Sequence, residues 1–104
     1  DFVSTSDEAV TAEFTKKFTD KYGYAPELYA ATYYSATYVL ADAIERAGSA
    51  DPQAVRDALA ATDGLVLPEG SYKCDENGNL LHGCVIAQIR DKVPTMVEYV
   101  DLAA

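Results

Sequence analysis

Apolar residues follow two regimes along this chain. Up to residue 60 they recur every three or four positions. Beyond it they fall into short runs broken by glycine, proline and acidic residues. Val10, Phe14 and Phe18 stand four apart, which is one face of a helix, with Lys16, Lys17, Asp20 and Lys21 on its wet side. The stretch Thr5-Ser6-Asp7-Glu8 has the form of a capping box, and Gly23 is placed to end the helix in the left-handed region. These signals predict a first helix over residues 6–22.

Pro26 suits the first turn of a second helix, predicted over residues 26–47. Its main stripe is Tyr29, Tyr33, Ala36, Leu40 and Ile44. Ala30, Ala31, Tyr34, Tyr38 and Ala41 make most of the remaining circumference apolar, and only the small polar residues Thr32, Ser35 and Thr37 interrupt it. A helix of this kind is expected to be buried on more than one side. Asp51-Pro52 reads as N-cap followed by N1 and opens a third helix over residues 52–62, with Val55, Ala58 and Leu59 inward. After a short extended run at Leu65-Val66-Leu67, strands are predicted over residues 71–74, 85–90 and 96–100. A turn over residues 75–78 places Gly78 at positive φ, and a hairpin turn falls at Asp91-Lys92.

The fold class is therefore α/β: three helices, then short strands and hairpins. Two other helices are little cover for so apolar a second helix, and the strands would make a poor sheet by themselves. The pattern predicts part of a larger α/β assembly.

Composition narrows the function. At 104 residues the chain holds at most one domain, and 17 acidic against 8 basic residues give a net charge of −9. Such a surface repels phosphate and anionic lipid headgroups, so no nucleic-acid partner is expected. The longest uncharged run, residues 28–41, has 14 residues, short of the roughly 20 that span a bilayer. Asp1 opens without a basic and apolar leader pattern, so any signal peptide is expected to have been removed ahead of it.

Candidate chemistry is sparse. Cys74, His82 and Cys84 are three potential metal ligands where structural zinc uses four, commonly with paired cysteines, so no metal is expected. Gly78 follows Asp75 by three residues and not by the five of a calcium loop. There is no Gly-rich phosphate loop, G-x-S-x-G or H-E-x-x-H, and no catalytic residue or cofactor is assigned. His82 and Cys84 would share a face of an extended segment, but nothing in the sequence orients the imidazole for nucleophilic work. Six of the eight tyrosines lie between Tyr22 and Tyr38, rings that suit either a binding cleft or a helix–sheet interface.

The run "YGYAPELYAATYYSATYVLADAIERAGSADPQAVRDAL", followed by "CDENGNLL" and "VIAQI", resembles the C-terminal third of type I periplasmic solute-binding proteins, the receptors of the branched-chain amino-acid ABC transporter class. The resemblance rests on the order of Tyr22-Gly23, Pro26, the residues 40–44, Gly48-Ser49, Asp51-Pro52 and the turn over residues 75–78. Two positions depart from the family pattern. Cys74 stands where a large aromatic residue usually precedes the turn, and Tyr33-Tyr34-Ser35 replaces a common Tyr-Asp-Ala.

The resemblance implies that the chain is part of a periplasmic-binding-protein-like I lobe, a C-terminal segment of a two-lobe receptor, with a Rossmann-like sheet completed by missing residues or a partner chain. Its partners would be a small polar solute, the remainder of the same receptor chain and an ABC permease in the membrane. The solute would be an amino acid, an amide or an aromatic carboxylate. A sensor of the same fold without transport is the alternative, and a small enzyme a more distant one. The setting would be periplasmic or extracellular, with a lipid anchor attached through the missing N-terminus as one form of it. The start of the second helix would reach the inter-lobe cleft, which makes Tyr29 the first candidate ligand contact and Ala30 and Tyr33 the next. Alanine at position 30 would leave room for a larger ligand.

The implied oxidising compartment and the even cysteine count lead to an expected Cys74–Cys84 disulfide, which would stabilise by about 2–3 kcal/mol. A tight turn over residues 75–78 sets Asn79 or Leu80 opposite Cys74, so the bridge requires residues 80–83 to bulge, which Gly83 permits. His82 would then be a loop residue.

Overall fold

A computed structural model of the chain describes residues 2–104. Among them, three helices, α1 (Ala9–Tyr22), α2 (Leu28–Ala47) and α3 (Pro52–Ala60), precede five strands. These are β1 (Asp63–Leu67), β2 (Gly70–Cys74), β3 (Leu80–Leu81), β4 (Cys84–Arg90) and β5 (Val93–Val100). They form two antiparallel sheets, β1-β2-β3 and β4-β5.

Several local signals are met. Gly23 ends α1 at φ 79° and Gly48 ends α2 at φ 65°, both left-handed. Asp51 caps α3 by accepting a hydrogen bond from the Ala54 N–H at 3.0 Å, with Pro52 at N1. The helix stops at Ala60, two residues early, because the Ala61 and Thr62 N–H groups turn back onto the last carbonyls and Asp63 already belongs to β1. Asp91 and Lys92, at φ 50° and 67°, make the two-residue turn that sets Arg90 opposite Val93.

Others are not met. The capping box does not form, and α1 starts at Ala9, not at residue 6. Thr5 is engaged elsewhere: its hydroxyl donates to the Pro94 carbonyl at 2.7 Å and accepts from the Met96 N–H at 3.3 Å. Ser6 takes up the Glu8 N–H instead. Likewise α2 starts at Leu28, because Glu27 is extended (φ −102°, ψ 173°), which leaves Pro26 buried in the connection ahead of the helix. β3 was not anticipated; two leucines carry too little pattern to reveal a strand.

The largest correction concerns the face of α2. Its buried residues are Ala31, Ser35, Val39 and Ala43, spaced by four, whereas the expected stripe points outward, with Tyr29 73% and Tyr33 74% exposed and Leu40 and Ile44 partly so. Small side chains on the inward face let the helix axis lie close to its neighbours. Val39 packs with Leu67 of β1 and Tyr72 of β2, and Leu59, Leu65 and Leu80 lie around them. Ala31 joins Phe2 and Phe14 in a second cluster at the other end of α2. Arg46 fastens the helix end, donating to Asp42 Oδ2 at 2.8 Å, the Ala58 carbonyl at 2.6 Å and Thr62 Oγ1 at 3.0 Å.

The β4–β5 hairpin projects from this body. The Cα radius of gyration is 14.9 Å, above the roughly 13 Å of a compact domain of this length. One attachment is the Thr5 bridge. Another is Tyr99, whose ring occupies a niche over Gly70 and Gly83, where a Cβ on either glycine would overlap the phenol. The Ser71 backbone hydrogen-bonds the Tyr99 hydroxyl.

Replacing Asp51 with alanine removes the α3 cap and should lower unfolding free energy by about 1 kcal/mol, read from urea denaturation. Gly83→Ala should destabilise the hairpin root, and adding Tyr99→Ala should relieve much of that loss. Additive effects of the two changes in the same titration would show that the ring and the glycine do not interact.

Candidate functional site

Helices α1 and α2 are joined by rings. Phe14 lies 5.7 Å from Phe2, 6.0 Å from Phe18 and 4.8 Å from Tyr34 between centroids. Phe18 continues to Tyr22 and Tyr24, and Tyr34 to Tyr38. Within the tyrosine cluster seen in the sequence, Tyr34 bridges the two helices, Tyr22 and Tyr38 stack on rings of their own helix, and Tyr24 meets Phe18 from the connection.

The expected ligand residues divide between two surfaces. Tyr29 and Tyr33, one helical turn apart, stand in solvent on the outer face of α2. Ala30 is turned toward α1 and lines a cleft of about 380 Å³ with Phe14, Lys17, Phe18, Lys21, Tyr22 and Tyr34. A separate cleft of about 400 Å³ opens beside the start of α2, where Phe2, Pro26, Leu28 and Pro94 meet. Tyr29 and Tyr33 do not line either one.

The Ala30 cleft has a distinct electrostatic character. Lys17 and Lys21, one turn apart on α1, supply ammonium groups, and no carboxylate among the described residues lines it. The Glu13 carboxylate, 2.6 Å from Lys17 Nζ, holds that ammonium protonated above its ordinary range and faces the neighbouring cleft by Val66 and Pro68. Lys21 Nζ lies 5.3 Å from the Tyr22 ring centroid. Hydrogen bonding with Tyr38, together with burial, raises the Tyr34 hydroxyl, so it stays a neutral phenol.

A buried polar cluster went unread in the sequence. Ser35 is fully enclosed and its hydroxyl donates to Glu69 Oε2; Glu69 itself is 2% exposed, and its Oε1 has no hydrogen-bond partner among the described residues. Tyr72 completes the group. The signal was present in Ser35, the polar position on an otherwise apolar inward stripe, and in Glu69, held between a proline and a glycine. The neighbouring Thr11 hydroxyl fixes this corner by donating to the Pro68 carbonyl at 2.6 Å.

The cysteines are not bridged; both are free and half-buried. The register explains why. Cys74 pairs with Leu80 across β2–β3, as the tight turn required, while Cys84 pairs with Val100 across β4–β5, so the two belong to different sheets. The turn itself is held by Asp75, which accepts from the Asn77 and Asn79 N–H groups and from the Asn79 side chain, and these bonds lower its carboxyl from the ordinary value. His82 lies in the loop before β4, its ring centroid 5.1 Å from that of Tyr72. Among the described residues, no group of three or more His, Cys, Asp or Glu side chains is placed to hold a metal ion. Among the described residues, no helix is long and apolar enough to cross a membrane.

Known proteins share this arrangement. Residues 1–94 match the family described as periplasmic binding protein. The Leu/Ile/Val-binding protein homolog 1 of Brucella abortus (strain 2308) is 38% identical over 73 residues, 70% of this chain and 19% of that protein. A leucine-binding protein of Thermotoga maritima superposes with a TM-score of 0.80 at 28% identity, covering 95% of this chain and 28% of the other. A solute-binding protein of R. palustris, solved with benzoate, superposes with a TM-score of 0.81 at 20% identity, covering 99% of this chain and 29% of the other, and shows a common fold. The chain belongs to the periplasmic binding protein family. Its three helices and short antiparallel strands are those of an α/β lobe of the type I members. It spans about one fifth (19%) of the length of the curated relatives it matches.

Burial pushes the Tyr72 hydroxyl well above the usual tyrosine range, and the Glu69 carboxylate adds to the shift. The folded chain therefore keeps a neutral phenol where the unfolded chain ionises. The stability this contributes is complete below about pH 10, the unfolded value, and is lost as pH rises beyond it. In urea titrations between about pH 9 and 11, Tyr72→Phe should lose stability less steeply with pH than the parent chain. Equal slopes would mean that other groups govern the alkaline limb.

Proposed function

We propose that the chain acts as a C-terminal segment of a two-lobe solute-binding receptor for an ABC importer. The match of residues 1–94 to the periplasmic binding protein family carries this reading. The outer face of α2 supports it: beyond the tyrosines, Leu40 and Ile44 are exposed apolar residues that the rest of a lobe would cover. Function is non-covalent capture. Two lobes close over a small solute by a hinge motion, and ligand contacts to both lobes hold the closed form. A permease then receives the solute at the outer side of the membrane, in a periplasmic or extracellular setting. The reading includes no catalytic step.

Tyr29 is the proposed ligand contact, at the start of α2, with Tyr33 one turn behind. Ala30 belongs to the same turn but faces α1. The branched-chain amino acids named for the relatives, together with amides and aromatic carboxylates, define the ligand class.

Calorimetry tests this directly. The 104-residue chain should give no micromolar binding of leucine, whereas the full-length receptor should bind one member of the class and lose at least about tenfold in affinity with Tyr29→Ala. Micromolar leucine binding by the short chain alone, or full affinity in the Tyr29→Ala receptor, would overturn the reading.

A further inference from the structure

We propose that the cleft between α1 and α2 is an accessory site for small aromatic carboxylates, separate from the surface that carries Tyr29 and Tyr33. Its volume of about 380 Å³ lies in the range that holds a small organic ligand. Its walls are rings: Phe14 and Phe18 from α1 and Tyr34 from α2 present faces and edges against which a planar ring gains offset or edge-on contact. Its floor is Ala30, a single methyl; the space exists because this position, one turn before Tyr34, carries nothing larger.

Charge selects the rest of the ligand. The chain carries 17 acidic and 8 basic residues, yet among the described residues this cleft is lined by two lysines and no acid. Among the described residues, Lys21 has no carboxylate within ion-pair distance. Lys17 shares its proton with Glu13 on the far side and retains ammonium donors for a second anion. A carboxylate on the ring would sit at the lysine edge and the ring beneath it. A cationic aromatic would meet repulsion there, and an aliphatic acid would forfeit the ring contacts.

The experiment is a backbone amide NMR titration of the 104-residue chain with benzoate, with benzylamine and cyclohexanecarboxylate as controls. Saturable shifts should centre on Lys17, Lys21, Ala30 and Tyr34 and weaken with added salt. Lys21→Gln should raise the apparent Kd by roughly threefold, the scale of an exposed ion pair. Ala30→Leu, a helix-compatible change that fills the cleft, should abolish the shifts, and Tyr29→Ala should leave them unchanged. Benzylamine binding as well as benzoate would overturn the proposal, and so would shifts that survive Ala30→Leu or an absence of saturable shifts. Shifts centred on Tyr29 and Tyr33 would also overturn it and assign benzoate to the receptor's own ligand surface. Since none of these outcomes depends on lobe closure, the accessory site and the receptor reading can fail independently.

Discussion

The close seating of α2 on its neighbours governs this structure. Ala31, Ser35, Val39 and Ala43 form a narrow strip with almost no side-chain bulk, and both apolar clusters are built on it. Val39 reaches Leu67 and Tyr72 only because the helix lies near the β1–β2 ladder, and Ala31 admits Phe14 for the same reason. Ser35 is the costly member of the strip. A hydroxyl with no solvent contact must be paired, and Glu69 pairs it, which in turn buries a carboxylate. The β1–β2 turn at Pro68-Glu69 is therefore tied to the middle of α2 by a polar contact within an apolar layer, and a shift of either element would break it.

Helix existence was legible because caps and period agree: Gly23, Gly48 and Asp51-Pro52 act as the local chemistry requires. Helix boundaries were less so, since Thr5 prefers a partner on β5 that is 89 residues away in sequence. The face of α2 was misread for a physical reason. With Tyr29, Tyr33, Leu40 and Ile44 on one side and alanines on the other, hydrophobicity favours the large residues as core, whereas close approach favours the small ones. Periodicity alone cannot rank the two.

The candidate surfaces show the same division. Tyr29 and Ala30 are adjacent in sequence but about 100° apart around a helix, so a single-surface assignment cannot hold for both. The cleft that Ala30 lines depends on α1, whose lysines read in the sequence as an ordinary wet face. The cysteine expectation failed on register. Nine residues separate Cys74 from Cys84, and the turn geometry held, but β3 and β4 part company at Gly83 and enter different sheets.

The mounting of the β4–β5 hairpin has a mechanical consequence. Thr5 holds β5 close to the Asp91-Lys92 turn, through the Pro94 carbonyl and the Met96 N–H, and the Tyr99 ring holds its other end over Gly70 and Gly83. Between these two pins the ladder is offset, at the shift between Ile86 and Ala87. The ribbon is therefore a beam clamped at both ends with its weak section in the span, so a push on the turn loads the segment ahead of α1 before it reaches the socket at Gly70, the first residue of β2, and Gly83.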